Sequence, residues 1–160
     1  LEMEILMRSA GVSMVRVPYK GGGGPAAMGL IGGETQLMFN TMPSVKNFVT
    51  GGRMHALAVT SAQRMQALPD VPTMAELGYA ELVTGSWQGM LVPAKTPKEI
   101  IQKLHRAINA VLDMPEVRER LAAGGVFTAQ SKSPEEFGQF LAAESQKWGK
   151  VAREARATAD

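Results

Sequence analysis

Val15-Arg16-Val17-Pro18-Tyr19-Lys20-Gly21-Gly22-Gly23-Gly24-Pro25 constrains this chain more than any other stretch. A β-branched apolar run ends in an aromatic residue and a lysine, and four glycines and a proline follow. Glycine reaches positive φ without steric penalty and lets the backbone approach a ligand closely. Proline suits the first turn of a helix, where a missing N–H costs nothing. A strand that feeds a glycine loop and then a helix start leaves backbone N–H groups unpaired at the positive end of the helix dipole. The stretch therefore predicts an anion-holding loop for a small, negatively charged molecule.

The 160 residues suit one domain or two small halves of something larger. Hydrophobic residues at 45% allow a core, and 17 basic against 15 acidic side chains form no basic block, so nucleic-acid binding is not suggested. With no cysteine, disulfides, thiolate metal sites and cysteine nucleophiles are excluded. No apolar run reaches the ~18 residues that a membrane-spanning helix needs. The opening Leu1-Glu2-Met3-Glu4-Ile5-Leu6-Met7 has an amphipathic helical pattern. It lacks the basic front and cleavage site of a signal peptide and shows no N-cap, so the chain is expected to begin inside an element, as a piece of a longer protein.

The pattern predicts a helix over 2–10 stopped by Gly11, a buried strand over 12–17, and a short helix over 25–31 closed by Gly32-Gly33. A strand over 35–39, a helix over 43–49 closed by Gly51-Gly52, and an apolar strand over 54–59 follow. Alternation of strand and helix is the signature of an α/β domain with a covered parallel sheet. Leu68-Pro69-Asp70-Val71-Pro72-Thr73 reads as a stiff loop. A short helix over 73–77 ends at Gly78, and 81–92 reads as extended chain around Ser86-Trp87-Gln88-Gly89. Thr96-Pro97-Lys98-Glu99 and Ser133-Pro134-Glu135-Glu136 read as capping boxes. They open helices over 97–124, broken at Met114-Pro115, and over 134–157, with a short strand over 126–128 between. These helices have apolar faces but few strands of their own to cover.

Three readings of the glycine loop stand side by side: a carboxylate-binding loop, a tight turn, and a nucleotide cradle. The nucleotide reading wants an acid about 20 residues on, at the end of the next strand. That strand ends at Phe39-Asn40, and no Gly-Lys-Ser/Thr follows the glycines. His55 and His105 lack partners at ligand spacing, which argues against a metal site, and no nucleophile elbow is present. Asp70, Glu76 and Glu81 sit beside prolines and turns, where solvated or capping roles are expected. The eleven methionines fall mostly at positions compatible with packing, although an adaptable interaction surface would use them too. Trp87, flanked by small and polar residues, reads equally as a cleft-lining ring and as an ordinary boundary aromatic.

These landmarks coincide with those of a known family. Val17-Pro18-Tyr19-Lys20-Gly21-Gly22-Gly23, Gly32-Gly33, Gln36-Leu37-Met38-Phe39 and Ala56-Leu57-Ala58-Val59-Thr60-Ser61 come in order. Leu68 to Thr73, Ser86-Trp87 through Pro93-Ala94, Thr96-Pro97 and Trp148-Gly149-Lys150-Val151 follow. The chain resembles the solute-binding receptors of bacterial tripartite tricarboxylate transporters, the Bug family. The resemblance spans nearly the whole chain. The glycine run is one residue longer than the family's usual Tyr-Lys-Gly-x-Gly-Pro.

The resemblance implies an α/β fold of the type II periplasmic-binding-protein kind, here the C-terminal portion: residues 1–84 as most of lobe 2 and 85–160 as the closing part of lobe 1. It implies a periplasmic receptor that closes over a small carboxylate or dicarboxylate and hands it to membrane permease subunits, without catalytic residues, cofactor or metal. The ligand-binding residues it implies are Tyr19, Lys20, Gly21, Gly22, Gly23, Gly24, Asn40, Thr41 and Trp87. With half a cleft, the chain is expected to bind far more weakly than a complete receptor. Its uncovered apolar helix faces are expected to drive self-association. The rival readings are a nucleotide-binding α/β enzyme using glycines 21–24 and a non-binding interaction module.

Overall fold

The computed structural model describes residues 1–155. The chain divides into two compact units, one of Glu2–Ser86 with Gly124–Val126, the other of Leu1, Trp87–Ala123 and the chain from Phe127 onward.

The first unit holds three nine-residue helices, α1 (Glu2–Ala10), α2 (Gly23–Ile31) and α3 (Met42–Thr50), and a 3₁₀ turn over Ala80–Leu82. Each helix stops where the glycines predict, and by one device. At the end of α2, Gly33 adopts φ 81°. Its N–H donates to Leu30 O at 3.1 Å, and the N–H of Glu34 donates to Gly29 O at 2.9 Å. This Schellman pairing consumes helix-end carbonyls that would otherwise be orphaned. The buried side chains of the described residues all belong to this unit: Ile5, Ala27, Val59, Met65, Thr73, Met74 and the fully enclosed Leu82. Helix α1 packs on the 3₁₀ turn, with Ser9 Oγ donating to Glu81 at 3.2 Å and Thr84 Oγ1 donating to Glu2.

The expected strands do not pair. Among the described residues the only β-pairing is an isolated parallel bridge, Val59 with Thr73. In it the Val59 N–H donates to Pro72 O and the Met74 N–H to Val59 O, each at 2.9 Å. The segment over 12–17 is irregular and solvent-facing, with Val15 91% exposed, and Leu57 in the expected strand over 54–59 is 66% exposed. The segments over 35–39, 81–92 and 126–128 likewise form no ladder. Strand-forming sequence becomes a strand only when a neighbour accepts its N–H groups, and here that neighbour is absent for all but one residue pair.

Residues 73–77 form a turn, not the expected helix. Thr73 and Glu76 cap each other: the Thr73 N–H donates to Glu76 Oε2 at 2.7 Å, and the Glu76 N–H donates to Thr73 Oγ1 at 3.1 Å. Gly78, at φ 89°, ends the turn before a helix can propagate. Arg64 clamps Glu76 through Nε at 3.0 and 3.1 Å and through a 2.9 Å ion pair. These partners hold the Glu76 carboxyl down to about 2, the Arg64 hydrogen bond first and the Thr73 N–H next. The capping role expected for Glu76 is thus observed.

In the second unit, α4 (Lys98–Asp113), α5 (Pro115–Ala123) and α6 (Pro134–Glu154) carry no buried residue. The Ser133 box forms, with the Glu136 N–H donating to Ser133 Oγ at 3.1 Å. The Thr96 box does not: Pro97 itself occupies the N-cap position and no side chain caps α4. Positions 156 and 157 of the expected last helix lie outside the described residues. Four of the eleven methionines, Met14, Met28, Met90 and Met114, are exposed, so packing accounts for most of them and not all.

Candidate anion site

The glycine loop runs from Gly21 (φ 95°) and Gly22 (φ 79°) into α2, which it enters at Gly23. No side chain caps this helix. Among the described residues, the amides of Gly21, Gly22, Gly23 and Gly24 make no hydrogen bond of ordinary length and angle to a protein acceptor, and Pro25 has no N–H to offer. Four consecutive backbone donors are therefore open at the positive end of a helix, which is the chemistry of an anion cradle. Gly22 and Gly24 have nothing within 4 Å of where a Cβ would stand, so the loop faces open space on that side.

Asn40 joins this loop to the start of α3. Its Nδ2 donates to Gly23 O at 2.9 Å, while its Oδ1 accepts from the Thr41 N–H at 2.8 Å. A Cβ on Gly23 would stand 2.5 Å from Asn40 Oδ1, so the pairing requires glycine there. Thr41 is the N-cap residue of α3, and its hydroxyl shares a 3.0 Å hydrogen bond with Ser44 Oγ. Tyr19, Lys20, the glycines, Asn40 and Thr41 are thus gathered in one unit around the first turns of α2 and α3. Lys20 is exposed.

Two of the expected site residues have their polar atoms engaged elsewhere. Tyr19 lays its ring on Gly29 and donates its hydroxyl to Glu34 Oε2 at 2.9 Å. That hydrogen bond, with some desolvation, raises the phenol above its usual 10.0. Trp87 belongs to the other unit, where it meets Phe140 edge-on at 5.1 Å and Phe137 at 6.2 Å between centroids. Its Nε1 donates to Glu144 Oε2 at 3.1 Å, and Trp148 Nε1 donates to the same oxygen at 3.0 Å. The ring keeps 45% of its surface exposed. His105 is engaged with Ser131, whose carbonyl and hydroxyl lie 3.0 and 3.2 Å from Nε2.

Sequence reasoning missed Glu34, Gly29 and Glu144. Glu34 stands immediately after the glycine stop of α2, a position that in sequence reads only as a solvated helix end. No short-range signal links it to Tyr19, fifteen residues earlier.

Comparison with known proteins gives the fold and the family. In solved structures, a Rhodopseudomonas palustris protein with adipate superposes with a TM-score of 0.85 at 32% identity, covering 95% of this chain and 50% of that one. MatC from the same organism, with bound malate, gives 0.80 at 29% identity, covering 94% and 51%. The fold is accordingly part of a type II periplasmic binding protein. BugT of Bordetella pertussis is 38% identical over 151 residues, which are 94% of this chain and 46% of BugT. The family model described as the tripartite tricarboxylate transporter family receptor, TctC, matches residues 1–156. The chain belongs to that family, and it spans about half the length of these relatives.

Proposed function

We propose that this chain supplies a carboxylate-holding part of a periplasmic solute receptor, which binds a small dicarboxylate without transforming it and presents it to membrane permease subunits. One observation carries the reading: four successive glycine amides are unpaired at the start of α2, in a chain similar to two solved proteins that hold adipate and malate. Backbone amides match the charge and shape of a carboxylate, and the helix dipole adds to the attraction. Lys20 adds positive charge beside the loop, and Asn40 and Thr41 shape its far side. In this reading residues 1–84 form most of lobe 2 and 85–160 the closing part of lobe 1, where the half-exposed Trp87 offers an aromatic surface of its own. No helix of the described residues is long and apolar enough to cross a membrane. The exposed Ile100, Leu104 and Val111 of α4 favour self-association of the chain.

Amide chemical-shift titration of the 15N-labelled chain with adipate, malate and AMP tests the reading. Adipate or malate should move the resonances of Gly21 to Gly24 and Met42 in a saturable way, and AMP should not. Glycine amides that respond to AMP alone, or to none of the three, would overturn it.

A further inference from the structure

A run of four glycines is the most flexible backbone a chain can offer, and a flexible loop forfeits affinity to the entropy of ordering it. Something must therefore hold this loop in shape before the anion arrives. Asn40 restrains it from the α3 side. On the other side stands Tyr19, two residues before Gly21, whose hydroxyl and ring edge rest on α2 where Gly29 has no side chain. A Cβ at Gly29 would overlap the tyrosine hydroxyl and ring edge, and Gly29 is buried. The hydroxyl then reaches past the end of α2 to Glu34. Gly29 lies six residues into a helix that rises about 1.5 Å per residue, so the strap runs along most of the length of α2. Glu34 is itself held, because its N–H closes the Schellman turn onto Gly29 O. Tyr19, two residues ahead of the glycines, is thereby fastened to both the body and the far end of the helix that the glycines open.

We propose that Tyr19, Gly29 and Glu34 form a latch that keeps the glycine loop in its anion-holding shape. Tyr19 acts through Glu34 and Gly29, and its hydroxyl does not touch the ligand. Glu34 and Gly29 are positioning residues for a site to which neither contributes an atom. The inference rests on the anion-binding role given above to the loop.

The test uses the full 160-residue chain with three variants: Tyr19→Phe, which keeps the ring on Gly29, Glu34→Ala, and Glu34→Gln, which keeps an acceptor oxygen. Without ligand, Tyr19→Phe and Glu34→Ala should shift the amide resonances of Gly21 to Gly24 and speed their hydrogen exchange, leaving those of α1 and the 3₁₀ turn in place. Glu34→Gln should restore the wild-type pattern. With adipate, Tyr19→Phe and Glu34→Ala should each weaken binding by about three- to tenfold, the effect of one hydrogen bond. The double variant should be no weaker than either. Glycine amides unmoved in the ligand-free variants would overturn the latch. So would additive losses in the double variant, because they would put the hydroxyl on the ligand. A wild-type chain that ignores adipate would refute the receptor reading, while the ligand-free spectra would still decide the latch.

Discussion

Asn40 donates its Nδ2 to the carbonyl of Gly23 at 2.9 Å, and so ties the residue before the N-cap of α3 to the first residue of α2. The tie has a steric condition, since any side chain at 23 would displace the amide of Asn40. One hydrogen bond thus sets the spacing of two helix starts, whose positive ends are the electrostatic resource of the candidate site.

Gly23 and Gly24 should respond in opposite ways to the same substitution. Gly23→Ala forces Asn40 aside and should cost about 1–3 kcal/mol, by overpacking and loss of the tie. Gly24→Ala meets nothing within 4 Å and replaces a poor helix former by a good one, so it should leave stability unchanged or raise it by up to about 1 kcal/mol. Its methyl group stands in the open space before the loop, and adipate binding should fall nonetheless. Thermal melts and the adipate titration together check this: a Gly24→Ala protein that binds like wild type would show that the anion does not approach there.

Acid should loosen the first unit through Glu76. Its carboxyl is held at about 2 in the folded chain, below the ordinary 4.5. The stabilisation from its ionised form is therefore complete above about 4.5 and disappears as pH falls through about 2. Glu76→Gln should flatten the stability profile across that window and leave the profile between pH 6 and 8, roughly, as it is. Denaturant melts at stepped pH measure it. An unchanged acid limb in the variant would mean that the Arg64 and Thr73 contacts do not persist in solution.

The two cap sequences should separate cleanly. Ser133→Ala removes an observed cap on α6 and should cost about 0.5–2 kcal/mol. Thr96→Ala removes nothing that caps α4 and should stay within about 0.5 kcal/mol of wild type. Equal losses in urea melts would contradict the assignment of Pro97 to the N-cap.

Much of the helical organisation was legible in residues that act on their immediate neighbours. Gly11, Gly33 and Gly52 stop their helices because each takes a positive φ that other residues resist, at 65°, 81° and 71°. The Ser133 box was legible for the same reason, since cap and amide are three residues apart. The Thr96 box misled because the capping position moved one residue along to Pro97, a shift no local pattern forbids. The strands misled for a deeper reason. Val12 to Val17 has the composition of a buried strand, yet pairing depends on a second segment being laid alongside, which composition does not specify. Among the described residues only Val59 found such a partner, in Thr73.

The candidate site divides along the same line. The unpaired amides at glycines 21 to 24 follow from sequence alone, because a glycine run before a proline-bearing helix start has no side chains with which to cap itself. The family likeness is legible too, as a succession of short motifs in fixed order. Only the tertiary structure decided which distant side chains hold these parts: Asn40 on Gly23, Tyr19 on Glu34, and Trp87 with Trp148 on one oxygen of Glu144. Helix ends are settled by forces that reach three or four residues along the chain. Partners seventeen, fifteen or fifty-seven residues apart meet only where the folded path of the backbone brings them within a hydrogen bond's length.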